Sequence, residues 1–445
     1  YKFIKESQEE VLSHHQLRFD KMYDEFVRIL HVTSVQPLRY EYLIDGILLV
    51  EDGAIKDVGP AKRFEQTGFP MGDCQHSPEH LIVPGFIDTH VHSPQIDIIG
   101  SHGEQLLDWL NKYTFPAEVR YADAEYSAVA AVAFLGSLLE AGTTTALVFA
   151  TSHLDATDQL FSAADELGMR LIAGKVLMDQ NARVELLDTA VGGVEDSESL
   201  INKWHGRGRL GYAITPRFAG SSSVQQLQLA GALHQKYPDT WVQTHLSENR
   251  DEIDWVAKIH PHTSDYLNVY EKYDLVGERS IFAHCIHLTD SERERIARAG
   301  AKVAFCPSSN MFLGSGLLDL ELLKRDAIDV SLATDVGAGT SLSMLRTMGD
   351  AYKVCQLRGY SLGAMEAFAM STLGNAQALH LDQYIGNFKT GKEADFLILN
   401  PNATSLSSRR VGLSESIEDE LFVLITIGDE RMVAATYVEG NLINQ

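Results

Sequence analysis

The feature that most limits the fold is an alternation that begins near Pro84 and continues for about 300 residues. Short apolar, strand-like runs are separated by longer segments of helical periodicity: GFIDTHVH, TTTALVFA, RLIAGKVLM, LGYAITPRF, WVQTHLS, SIFAHC, AKVAFCP and DVSLATDVG. Eight such units predict a closed parallel barrel of the TIM-like (β/α)8 type, with its working groups at the carboxyl ends of the strands. An open doubly wound sheet is the alternative, but no G-x-G-x-x-G follows a strand to support it.

The segments flanking this alternation have a different character. Residues 40–58, which contain YLIDGILLVEDGAIKDV, read as two short strands joined by Asp-Gly turns. GNFKTGKEADFLILN and ATYVEGNLI return to the same pattern near the other end of the chain. Together they predict a small discontinuous β-sandwich domain from residues 31–83 and 386–445, with the barrel occupying 84–385. Residues 1–30 place Val11, Met22, Phe26, Val27 and Leu30 among charges without Gly or Pro, which predicts a helical N-terminal extension packed as an arm.

Composition narrows the function. There are 37 Lys and Arg against 61 Asp and Glu, a formal charge of −24, and so acidic a surface repels nucleic acid and anionic lipid. The cysteines Cys74, Cys285, Cys306 and Cys355 are scattered and form no C-x-x-C, which argues against a disulfide framework and a thiolate metal site and fits a reducing cytosol. Neither an 18-residue apolar run nor a basic start followed by an apolar stretch occurs, so no membrane span or signal peptide is expected.

Chemistry concentrates at the predicted strand ends. In the first run His90 and His92 stand two residues apart, so in an extended strand both imidazoles face one side and can reach one metal ion. Alone the pair could be two surface or core histidines. His245 closes a later strand, His284 closes another, and Asp335 closes a third before a glycine-rich turn. Glu248 follows His245 on a short connection, and Asn249 with Glu252 forms a capping-box pattern that opens the next helix. Taken singly, His284 fits a buried hydrogen-bonded histidine, Asp335 a helix cap and Glu248 a solvated acid. A metal site accounts for their shared rim. His153, Asp179 and Asn310 also fall near strand ends and receive no role.

These residues carry a family resemblance. PGFIDTHVH, THLSE, the strand-end His284 and the Thr334-Asp335 pair resemble the amidohydrolase superfamily, in its mononuclear deaminase branch. The SPQ of Ser93–Gln95, LLDWLNKYTFPAE, AGTTTALVFATSH, GKVLMD, TPRF, HLSENRDE, CPSSNMFLGSG and GNFKTGKEADF narrow the resemblance to the guanine-deaminating members of that branch, from about residue 40 onward. LLDWLNKYTFPAE and HLSENRDE are fairly specific, whereas HVH and TDVGAG are shared across the superfamily. GNAQAL departs from the pattern at Asn375, where a second glycine is expected, and residues 1–30 have no counterpart.

The resemblance implies that His90, His92, His245 and Asp335 hold one Zn2+ per chain, although three histidines and an aspartate also accept Fe2+. It implies that Asp335 and His284 orient the attacking water, His284 either as a shared ligand or from behind, and that Glu248 shuttles protons. Guanine would give xanthine and ammonia. Gln95, Arg217 and Phe218, with His245, Glu248 and Asp335, would contact the purine base, Gln95 and Arg217 by hydrogen bonds and Phe218 by stacking, while Leu107, Trp109 and Phe115 would line the pocket. A homodimer in the cytosol, with a small purine base as its partner, is implied as well. Three rival readings are a deaminase of another amino-purine or amino-heterocycle, a binuclear cyclic-amide hydrolase using Lys175 as a carbamylated bridge, and a non-catalytic scaffold.

Overall fold

Pairing between distant segments, rather than local periodicity, decides the first element. The computed structural model describes residues 24–69 and 74–444. The helix expected over residues 1–30 does not hold for its described part: Asp24–Ser34 is a strand, β1, and residues 1–23 lie outside the described residues. Strand β1 pairs antiparallel with β2 (Arg39–Glu51), which turns into β3 (Ala54–Pro60), and parallel with β4 (Cys74–Pro84). Val27 and Ile29 pack with Leu48 and Ile82 on one face, and Leu30 and Val32 enter the barrel's outer core on the other. A helix would bury neither set against these partners.

The expected turn at Asp45-Gly46 is also absent. Gly46 stays inside β2, where an added Cβ would come within 2.8 Å of Ile29 Cδ1, so glycine serves close packing there. The turn falls at Asp52-Gly53 alone, both with positive φ (50° and 76°).

The eight predicted barrel strands are all present and parallel. They are β5 (Phe86–His92), β6 (Thr143–Phe149), β7 (Arg170–Gly174) with its short continuation β8 (Val176–Leu177), β9 (Leu210–Pro216), β10 (Trp241–Leu246), β11 (Ser280–His284), β12 (Lys302–Phe305) and β13 (Val330–Leu332). Every strand is buried on nearly its full length, as expected for strands covered by helices outside and side chains within. The interior is filled by Ile87, Leu147, Ile172, Ala213, Trp241, Ile281, Ala283, Ala304 and Ala333. Val242, Phe282, Val303 and Leu332 point the other way, into the helical layer.

The barrel closes where the chain leaves β13. His92 N–H donates to Val336 O at 2.9 Å, and Asp335 N–H donates to His90 O at 2.9 Å. Asp88 Oδ1 accepts from Thr334 N at 3.1 Å and from His90 N at 3.2 Å. Deeper in the seam, Asn375 accepts from Leu332 N (2.9 Å) and donates to Leu332 O (2.8 Å) and Ile87 O (2.6 Å). The residue that departs from the family pattern therefore stitches the first barrel strand to the last.

Strands β14 (Phe396–Leu399), β15 (Val433–Val438) and β16 (Asn441–Asn444) complete the other sheet, whose order is β16-β15-β14-β4-β1-β2-β3. The β unit is thus one seven-stranded mixed sheet drawn from both ends of the chain. Arg209 joins it to the barrel, donating from Nε to Glu393 at 3.0 Å and pairing with Asp395, while Arg170 Nε reaches the same Glu393 at 3.0 Å. Among the described residues no single helix is long and apolar enough to cross a membrane.

Asn375→Ala removes the Asn375 bond from one buried amide and two buried carbonyls of the seam, and should cost about 2–4 kcal/mol of stability. Urea unfolding checks this, and an unchanged midpoint would show that the seam does not depend on Asn375.

Candidate active site

Three local devices aim the functional side chains into the mouth of the barrel. The first is a bulge. Ile87 points into the barrel and Val91 out of it, and β5 carries one extra residue relative to β6 between Asp88 and Val91. That insertion places His90 and His92 on the interior face, which simple alternation from Ile87 would not do. The second is plain alternation: Trp241, Gln243 and His245 on β10, and Ala213, Thr215 and Arg217 along β9 and just past it, face inward in turn. The third is left-handed backbone at strand ends. His284 (φ 71°) and Cys285 (φ 53°) turn the end of β11 so that the imidazole enters the site, and Asp335 (φ 51°) and Ser247 (φ 51°) do the same after β13 and β10.

The nitrogens and oxygens that converge form a compact donor set. His92 Nε2 is 3.2 Å from His90 Nε2, 3.3 Å from His245 Nε2 and 3.3 Å from Asp335 Oδ1, and His90 Nε2 is 3.2 Å from the same Oδ1. Ligands held at ~2.0–2.1 Å in near-tetrahedral array around one ion stand ~3.3 Å apart. His284 brings its Nε2 to 3.7 Å from Asp335 Oδ2, and a ligand atom from each of His90, His245, His284 and Asp335 lies within 4.8 Å of the others.

Protonation fits the same reading. His245 Nδ1 lies 2.6 Å from the Arg217 carbonyl and His284 Nδ1 lies 2.8 Å from Asn310 Oδ1, so each donates outward and turns a lone pair at Nε2 inward. Burial depresses His92 to about 3 and His245 well below the usual imidazole range, the latter helped by repulsion among the histidines. Burial alone would raise Asp335, but hydrogen bonds from His90 and His92 hold it well below the usual carboxylate range. The inward Nε2 lone pairs of His245 and His284 converge beside the Asp335 carboxylate, an arrangement that repels itself unless a cation lies between them. The set therefore suits one divalent ion. Phe149, its ring centroid 4.7–4.9 Å from those of His90, His92 and His245, seals the cluster on its apolar side.

Glu248 sits beside this cluster, 2% exposed. Its Oε2 is 3.4 Å from His284 Nε2, its Oε1 accepts from Ser315 Oγ at 2.9 Å, and its N–H donates at 3.0 Å to Glu252, the carboxylate that also closes the predicted capping box with Asn249. Burial and the nearby Asp335 push its carboxyl up to about 8. The cavity above opens partly to solvent. Gln95, Arg217, Phe218, His245, Glu248, His284 and Asp335 all line it.

Comparison with known proteins agrees with this geometry. The model of the Amidohydrolase family matches residues 81–443. The chain belongs to the amidohydrolase family. It is 49% identical over 405 residues to a guanine deaminase of Escherichia coli K12, covering 90% of this chain and 92% of that protein, and 35% identical to a human guanine deaminase over 93% and 95%. Among solved structures, an E. coli guanine deaminase superposes with a TM-score of 0.92 at 47% identity, covering 95% of this chain and 99% of that one. A guanine deaminase from C. acetobutylicum with guanine bound in its active site superposes at 0.86 and 30% identity, covering 95% and 100%.

Within this amidohydrolase barrel several sequence expectations need correction. Trp109 lines the cavity, but with Leu106 and Leu110 rather than Leu107. Phe115 lies behind the lining, 5.4 Å under the Arg217 guanidinium. Lys175, the proposed bridge between two metals, is committed to Asp188 at 2.5 Å and Asp196 at 3.7 Å, so its amine is not offered to the histidines. Asn310 acquires a role in orienting His284, and Asp179 accepts from the N–H of Ser223, the residue that caps helix Val224–Lys236. Ser315 and Phe149 lie within CPSSNMFLGSG and TTTALVFA, and nothing in their spacing marks them as part of the site. Tyr270 is likewise unmarked: its hydroxyl donates to His245 O (2.9 Å) and accepts from Ala219 N (2.9 Å), joining two rim segments.

Asn310→Ala frees His284 Nδ1 and should weaken divalent-metal affinity about 10- to 100-fold. Chelator competition measures this. Affinity equal to that of the parent chain would exclude His284 and its Asn310 contact from metal binding.

Proposed function

We propose that this chain hydrolyses guanine to xanthine and ammonia with one divalent ion, Zn2+ on the motifs and Fe2+ as the alternative. The observation that carries the reading is the convergence of His90, His92, His245 and Asp335, with Glu248 beside them, in a chain 49% identical to a protein named guanine deaminase. His90, His92, His245 and Asp335 hold the ion, with His284 next to it. A bound ion of this kind lowers the pKa of water from about 16 to about 7, so that hydroxide is available at neutral pH.

The chain's own residues do the rest. Asp335 and His284 orient the nucleophile toward the amine-bearing ring carbon, their positions fixed by the closure seam and by Asn310. Glu248 gives a proton to the ring nitrogen beside that carbon, so negative charge does not accumulate there, and a proton is then passed to the departing ammonia. Gln95 and Arg217 hydrogen-bond the base, and Phe218, packed against Trp255 at 5.6 Å, offers it a ring face. The domain division at residues 83/84 and 385/386 belongs to the same reading, as does homodimeric assembly in the cytosol. The motif resemblance supports the dimer, and the unpaired buried thiols of Cys285, Cys306 and Cys355 suit a reducing compartment.

Purified protein loaded with Zn2+ should release ammonia from guanine, and Glu248→Gln should keep its metal while losing turnover by about three orders of magnitude or more. An ammonia assay run with elemental analysis decides both. Guanine left intact by the loaded parent protein would remove the reaction, and unchanged turnover in the variant would remove Glu248 as proton carrier.

A further inference from the structure

A buried carboxylate stands directly behind the cavity wall. Glu118, on the short helix Phe115–Val119, has a fully buried side chain and does not line the cavity. Arg217 Nη1 donates to both its oxygens, at 2.9 Å and 2.8 Å, and Gln95 Nε2 donates to Oε1 at 3.3 Å. Two cavity-lining side chains thus share one hidden acceptor. Among the described residues no hydrogen bond is made by the other guanidinium nitrogens of Arg217, a residue that lines the cavity.

The arrangement also fixes which way the Gln95 amide points. Its Oε1 accepts from Gly337 N–H at 3.3 Å while its Nε2 gives one hydrogen to Glu118, so of its N–H groups only the second remains for a ligand. With one lone pair of its carbonyl held by Gly337 and the guanidinium unable to accept, this wall presents mainly donors. Glu118 also neutralises a guanidinium that is only 3% exposed and would otherwise be a buried unpaired cation.

We infer that Glu118 is a positioning residue that turns the N–H groups of Gln95 and Arg217 into a donor-rich wall and thereby selects purines bearing a carbonyl, rather than an amino group, at the ring carbon that is not attacked. This rests on the proposed deamination. An oxo group accepts from both side chains. An amino group in its place sets donor against donor and leaves buried polar groups unpaired, which a site of this kind rejects strongly.

The test compares guanine with 2,6-diaminopurine, which keeps the amine to be removed and replaces the oxo group by an amino group. Glu118→Gln is close to isosteric, removes the charge and lets the side-chain amide of residue 118 turn its NH2 toward Arg217. It should raise KM for guanine about 10- to 100-fold, with kcat changed only a few-fold, and narrow the preference for guanine over 2,6-diaminopurine by a similar factor. Zinc content and melting temperature should stay at parent values, and Glu118→Asp, which keeps the charge, should recover part of the preference. The inference is overturned if Glu118→Gln keeps the parent KM and preference, or if it lowers turnover of both purines equally together with zinc content or melting temperature. Titration calorimetry with xanthine separates this from the reaction itself. A parent protein that binds xanthine more tightly than Glu118→Gln but leaves guanine intact would sink the deamination and keep the recognition. An active parent with equal xanthine affinity in both would do the reverse.

Discussion

The site depends on the hydrogen-bonded seam that closes the barrel between β5 and the segment leaving β13. Asp335 N–H to His90 O and His92 N–H to Val336 O are backbone bonds, yet they set the separation of the first two histidines and the last carboxylate. No local sequence preference brings these groups together. They meet because eight strands of matched twist return the chain to its starting edge, and because Asp88 and Asn375 supply buried partners for polar groups that would otherwise be unsatisfied there.

Electrostatics then sharpens what closure assembles. The barrel mouth concentrates buried imidazoles, carboxylates and one guanidinium in a chain whose surface is strongly acidic. Each charge has a specific partner: Asp335 faces His90 and His92, and Arg217 faces Glu118. Burial keeps His92 and His245 neutral, and Arg217 O and Asn310 orient His245 and His284 through their outer nitrogens. Such a cluster is costly without a cation at its centre, and this is the physical reason for reading it as a metal site rather than a structural network.

Much of this was legible in the sequence. Eight alternating units gave the barrel, and His90, His92, His245, His284, Glu248 and Asp335 stood out because strand ends share one rim. What was not legible depends on contacts between distant segments. β1 looks helical until β2 and β4 are placed on either side of it. The bulge that turns His90 and His92 inward appears only in the pairing of β5 with β6, and the left-handed turn at His284 carries no local glycine signal. Phe149, Asn310, Ser315 and Glu118 act through neighbours from other strands, so their spacing shows nothing. Asn375, read in the sequence as a small departure from a motif, turns out to hold the seam.

The central claim is that one divalent ion binds between the strand-end histidines and Asp335. Anomalous X-ray scattering from crystals of the metal-loaded protein, measured on either side of the zinc absorption edge, tests it most directly. The account predicts a single strong peak within bonding reach of His90, His92 and His245 Nε2 and Asp335 Oδ1. Two peaks in the barrel mouth, or one peak elsewhere in a catalytically active crystal, would contradict it.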